Sequence, residues 1–170
     1  FNELIVSNRY GNIDIRQEGE EFAITASVWV EAKNKAKVDE ILEYIAITAK
    51  ERGAALNVET VFKKDMSLKQ TFSGVTVSVD YHIKVPKGKK VRLLSTDGGI
   101  SMSDFTGDLS VEIVSGNFKA NTVLGGEFSV KQSKGEFEVE KVAVFNGEFK
   151  SCKVKIGEGT DMKLDCMTKL

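Results

Sequence analysis

Carboxylates are the only plentiful reactive groups in this chain. Asp108, Glu127 and Glu148 each follow a glycine directly. Two carboxylates about 5 to 9.5 Å apart can cleave a glycosidic bond, one as the acid and one as nucleophile or base. Adjacent coils of a solenoid would supply such a pair. The same residues also read as a solvated acidic flank. No long inserted loop walls off the dry cleft in which catalytic carboxyls usually gain shifted pKa values. Asp97, Asp104 and Asp108 lie near glycine turns and offer the hard oxygen ligands that calcium prefers. Their spacing does not recur, and the calcium-roll nonapeptide is absent.

The other candidates are few. His82 is the sole histidine, and a serine nucleophile needs a histidine beside it. It falls on the polar side of an alternating strand. Cys152 and Cys166 are the two cysteines. Each alternates with apolar neighbours, so both read as small buried hydrophobes rather than a disulfide framework. There is no phosphate loop, dinucleotide fingerprint or zinc spacing. The expectation is therefore a protein that is not an enzyme, with no catalytic, cofactor-binding or metal residues and no cofactor.

Composition narrows the class further. The chain has 170 residues, of which 41% are hydrophobic and 29% charged, with a net charge of −1. That is enough chain for one self-sufficient core. The balanced charge lacks the basic footprint of a nucleic-acid binder. No apolar run approaches the roughly 20 residues of a membrane span. The sequence opens on Phe1, and any signal peptide or anchor is expected outside it.

The elements that must position these groups fall into two halves, residues 1–86 and 87–170, expected to form one continuous structural domain. The first half reads as α+β. Short strands run from Glu3 to Ser7 and from Asn12 to Arg16. Phe22, Ile24, Ala26, Val28 and Val30 alternate along a third strand, and Trp29 on its other face suggests cover on both sides. Val38, Ile41, Leu42, Ile45 and Ala49 form an apolar stripe that predicts a helix over 35–52, with Asn34 as N-cap and Gly53 as C-cap. Strands near Ala55–Phe62 and Thr71–Val85 follow. In the latter, Val75, Val77, Val79, Tyr81, Ile83 and Val85 share one face, and Pro86 ends it.

The second half repeats. A glycine followed by polar, apolar, polar and apolar residues appears at Gly107, Gly116, Gly126 and Gly135, and in shortened form at Gly99 and Gly147. Two units give a period of about 19 residues, the length of one β-solenoid coil. Phe118 lies 19 residues before Phe137, and Leu109 lies 19 before Phe128, with Phe149 a further 21 on. Stacked coils would turn these into internal ladders. With the same offset Lys119 faces Glu138, and Asp108, Glu127 and Glu148 stack as like charges. An antiparallel meander also fits, but Asn-Gly and Asp-Gly hairpin signals are scarce. The reading is a parallel β-helix whose open coil ends promote end-to-end homodimers, one end being capped by the N-terminal half.

This pattern resembles the bacterial cell-envelope family called putative adhesins, a β-strand-repeat domain of unknown function. The resemblance rests on Asn8-Arg9-Tyr10-Gly11-Asn12-Ile13-Asp14-Ile15, on Tyr81-His82-Ile83-Lys84-Val85-Pro86, and on the repeats from Gly99 to Lys150. The turn Thr96-Asp97-Gly98-Gly99 departs from the Tyr-Gly or Ser-Gly of relatives. The resemblance implies a right-handed parallel β-helix, export to the periplasm or cell surface, and no established enzyme activity or site residues. Three functions follow as expectations. The first is a non-catalytic surface or adhesion module with a glycan or protein ligand. The second is a sensory or regulatory ectodomain of a membrane-anchored envelope protein. The third is a carbohydrate-active enzyme.

Overall fold

Residues 1–63 and 73–167 are described by the computed structural model. Thr71 and Phe72 of the expected Thr71–Val85 strand, and Thr168 to Leu170, lie outside them. The strands are β1 (Glu3–Tyr10), β2 (Ile13–Gln17), β3 (Ala23–Glu31), β4 (Ile45–Arg52), β5 (Ala55–Phe62), β6 (Thr76–Val85) and β7 (Lys90–Asp97). They continue as β8 (Ile100–Met102), β9 (Asp104–Thr106), β10 (Leu109–Ser115), β11 (Phe118–Gln132), β12 (Gly135–Lys150) and β13 (Cys152–Met167). Among the described residues there is one helix, α1 (Lys35–Tyr44).

The strands form a single 13-stranded sheet that bends round on itself. Phe118 pairs in parallel with Phe137, and Leu109 with Phe128, at the spacing the repeat predicts. β11, β12 and β13 each turn through three stretches, and each stretch is hydrogen-bonded to its equivalent in the neighbouring coil. The first stretches continue β6, β2 and β8 on one flank. The last stretches continue β5, β1, β7 and β10 on the other. A short third strip joins β9 to the middle of β11. The protein is thus mainly β and solenoid-like. One detail departs from simple sequential winding: β1 lies between β5 and β7, and β2 between β6 and β8. The first strands of the chain are inserted between coils made from later residues.

The ladder is apolar and aromatic. The Phe137 ring stacks 5.0 Å from Phe118 and 5.4 Å from Phe145, each at 14° between planes. Leu4, Leu93, Val111, Val130 and Phe128 continue the interior on the opposite flank. Phe128 is followed by Phe145, not by Phe149, which sits instead beside Gln132. The cause is a register shift between Val123 and Glu127, where β12 takes a shorter path round the bend. The same shift separates Glu127 from Glu148. Of the expected stack of like charges, Asp108 and Glu127 remain neighbours, while Glu148 joins Glu112 and Lys131 in a row that alternates in sign. Lys119 does pair with Glu138.

Coils can stack this closely only if each turns the same corner. Gly98, Gly116 and Gly135 occupy one such corner, with φ of 152°, 157° and 116°. A Cβ on Gly116 would overlap the Gly98 carbonyl, and one on Gly135 would overlap that of Gly116. Buried polar side chains satisfy the backbone there. Ser95 Oγ donates to the Gly98 carbonyl at 2.9 Å, and Gln132 Nε2 to that of Gly116 at 2.8 Å. Asn8 Nδ2 donates to the Val79 carbonyl at 2.7 Å.

The first half brings three corrections. Asn34 caps α1 through Lys37 N at 2.9 Å, but the helix stops at Tyr44. Ile45 to Arg52 form β4, antiparallel to β5. Isoleucine at 41 and 45 fits a helical stripe, yet Ile45, Ile47 and Ala49 also alternate. Gly53, at φ 61°, makes a tight turn between Arg52 and Ala55 instead of capping a helix. Hairpin pairing with β5 satisfies the backbone and outweighs the helical propensity of the segment. Trp29 is 64% exposed, so β3 is not covered on both sides. The cysteines are free, but Cys152 is only half-buried and Cys166 is exposed, because both lie in the outermost coil.

Replacing Phe137 by Ala should cost about 3 to 5 kcal/mol in urea unfolding, as expected for a buried phenylalanine. Replacing Gly116 by Ala should cost at least about 1 to 3 kcal/mol, because the left-handed backbone is denied to alanine and the methyl meets backbone. Losses far smaller than these in both variants would mean that the coils do not stack at these positions.

Candidate functional site

A parallel sheet in register lines up its outward side chains as strictly as its inward ones. On the β1–β7–β10 flank this places Arg92, Ser110, Ser129, Asn146 and Lys163 in one row, one residue per strand. Neighbouring rungs are about 4.8 Å apart. A parallel row holds Glu112, Lys131, Glu148 and Asp165. Between the rows runs a shallow groove of about 290 Å³, lined by Arg92, Ser110, Ser129, Lys131, Asn146 and Glu148 among others. It lies at the lower edge of the size of small-molecule pockets and is open along its length. Its chemistry is hydroxyl, amide and charge of both signs, suited to many weak polar contacts.

The opposite flank carries a second row: His82, Asp14, Ser101, Lys119, Glu138 and Lys155. Asp14 accepts from Ser101 Oγ at 3.0 Å and lies 3.7 Å from His82 Nδ1. His82 is thus a surface residue beside one half-buried carboxylate. Such surface pairs contribute little to stability.

The structure keeps Asp108 beside Glu127 on adjacent coils and moves Glu148 away from both. Asp108 accepts from the Glu127 backbone N–H at 3.1 Å and meets Lys90 Nζ at 3.3 Å. Glu127 pairs with Val144 and not with Glu148, which faces Lys131 Nζ at 3.7 Å on another rung. Asp97 stands beside Tyr10 and Ser115, while Asp104 accepts from Thr122 Oγ1 at 2.8 Å. Among the described residues, no three His, Cys, Asp or Glu side chains gather as a metal cage.

The reading by residue type missed one polar cluster. Thr60 Oγ1 lies 3.0 Å from Asn8 Oδ1 and 2.7 Å from the Tyr81 hydroxyl. All three residues are buried. Burial chiefly, and then the charge of Glu59, raise the Tyr81 phenol above its usual range, against the hydrogen bond it shares with Thr60. The cluster locks the inserted β1 to β5 and β6. The only signal in the sequence was a threonine and an asparagine at inward positions of alternating strands.

Fold and surface together define a coiled, ridged β module with open polar faces. The chain belongs to the Toastrack DUF4097 family, whose model matches residues 1–166. No curated protein matches it. Among solved structures, a putative cell adhesion protein from Clostridium sporogenes aligns at 10% identity and TM-score 0.46, covering 98% of this chain and 92% of that one. A putative lipid binding protein from Parabacteroides distasonis aligns at 9% identity and TM-score 0.31, with the same coverage of 98% and 92%. No helix among the described residues is long and apolar enough to cross a membrane.

The Asp108 contacts set a pH dependence. The Glu127 N–H first, and then Lys90, hold its carboxyl below the ordinary carboxylate range. A group whose pKa falls on folding stabilises the fold above its unfolded pKa, and that contribution disappears as pH drops through the folded value. The stability gap between the protein and Asp108→Asn should therefore be widest near neutrality and close in acid. A gap that widens in acid would assign the contacts wrongly.

Proposed function

We propose that this chain is a non-catalytic surface-binding module of the bacterial cell envelope, and that its polar row holds an extended, hydroxyl-rich polymer such as a glycan. The carrying observation is the run Arg92, Ser110, Ser129, Asn146 and Lys163, one residue on each of five successive strands. A rigid sheet presents these groups without the ordering cost a loop would pay, so weak contacts add along a polymer. A repeating ligand laid across the strands meets a repeating surface. The open groove holds no buried acid–base pair, which fits binding better than turnover. The resemblance of Asn8–Ile15, Tyr81–Pro86 and the glycine repeats to envelope adhesins supports a place at the cell surface.

The same reading takes the coils as a right-handed parallel β-helix. Parallel pairing of successive coils supports it, since crossovers between parallel strands of one sheet are almost always right-handed.

The test is a glycan array probed with the protein and with Arg92→Ala combined with Asn146→Ala. Each lost polar contact is worth about 0.5 to 1.5 kcal/mol, so the double variant should bind about tenfold or more weakly with unchanged circular dichroism. Equal binding by both proteins, or no glycan retained by either, would overturn the reading.

A further inference from the structure

The two ends of the stack are finished differently. At one end the outermost strands are β3 and β4, both antiparallel to their neighbours, and α1 runs from one to the other and buries Ile41. At the other end β13 pairs only with β12 among the described strands. Its interior residues are half-covered: Val154 and Ile156 pack on the core from one side, while Met162 is 44% and Leu164 45% exposed. A long strand edge with apolar residues behind it is a template for another strand.

The order of residues along β13 says what kind. Register with the buried residues of β12 identifies the interior positions: Val154, Ile156, Gly159, Met162, Leu164 and Cys166 stand over Phe137, Val139, Val142, Phe145, Gly147 and Phe149. Cys152, over Gly135, is packed against the core as well. Read from either end, the steps between these positions are two, two, three, three, two and two residues. The pattern is a palindrome centred on Gly159. Gly159 itself points inward, for a Cβ there would meet the Met162 side chain. A parallel continuation of the coil needs no such symmetry. A two-fold axis does, since it sets a surface against itself.

We propose that β13 is a self-association edge, and that two copies of this chain join end to end with their β13 strands antiparallel about Gly159. In that register every interior residue meets an interior residue: Val154 meets the partner's Leu164, Ile156 the partner's Met162, and Cys152 the partner's Cys166. The two interiors fuse into one. Outside, Lys153 meets the partner's Asp165. Lys155 faces the partner's Lys163 but lies diagonally between the partner's Asp161 and Asp165, within reach of a long side chain. Moving the register by two residues would set Ile156 against the outward Thr160. The palindrome therefore selects one alignment. The proposal goes beyond glycan binding and does not depend on it.

The experiment combines light scattering and cross-linking on the whole chain. Over a concentration series the protein should have twice the mass of one chain. Met162→Asp together with Leu164→Asp should give a single-chain mass with an unchanged circular dichroism spectrum, both sites being half-exposed. In a background with Cys152→Ser and Cys166→Ser, Thr160→Cys lies next to the axis and should give a covalent dimer with a short bismaleimide. Ser129→Cys, on β11, should not. A single-chain mass at every concentration, a dimer undisturbed by the two aspartates, or cross-linking at Ser129→Cys in preference to Thr160→Cys would each overturn the proposal.

Discussion

One constraint governs this molecule: each coil must repeat the outline of the coil beneath it. Backbone hydrogen bonds between parallel strands demand it, because an N–H or C=O left unpaired inside the stack would cost more than any one side-chain contact returns. The glycine corner follows from that demand. Gly98, Gly116 and Gly135 sit so close that the carbonyl of one fills the space where the next would carry a Cβ. The aromatic interior follows too. Phe118 meets Phe137, and Phe128 meets Phe145, because the coils are in register, and their packing then makes the register costly to change.

Register also shapes the surface. Outward residues cannot drift relative to one another, so a row such as Arg92 to Lys163 is fixed as firmly as the core. On this flank Asp108 and Glu127 stay neighbours on adjacent coils, where Asp108 accepts from the Glu127 N–H, while Glu148 sits apart beside Lys131.

Much of the repeat was legible in the sequence. Glycine, then alternating apolar residues, at a nearly constant interval is a direct image of corner and stack. The 19-residue spacing correctly joined Phe118 to Phe137 and Leu109 to Phe128. It failed at Phe149, because one bend is two residues shorter and periodicity alone does not reveal where a coil loses length. The segment 45–52 was misread since its apolar residues satisfy a helical and an extended pattern at once, and only pairing with β5 decides between them. The insertion of β1 between β5 and β7 had no local signal, because partner choice over fifty residues leaves no trace in either strand alone. The outward row was equally hidden: serine, asparagine and lysine are ordinary surface residues until register aligns them.

Ring-proton nuclear Overhauser effects from Phe137 test the stacked register most directly. The account predicts a strong effect to the ring of Phe118, 19 residues earlier on the neighbouring coil, whose centroid lies 5.0 Å away. No effect to Phe118, with Phe137 contacting only residues of its own coil, would contradict it.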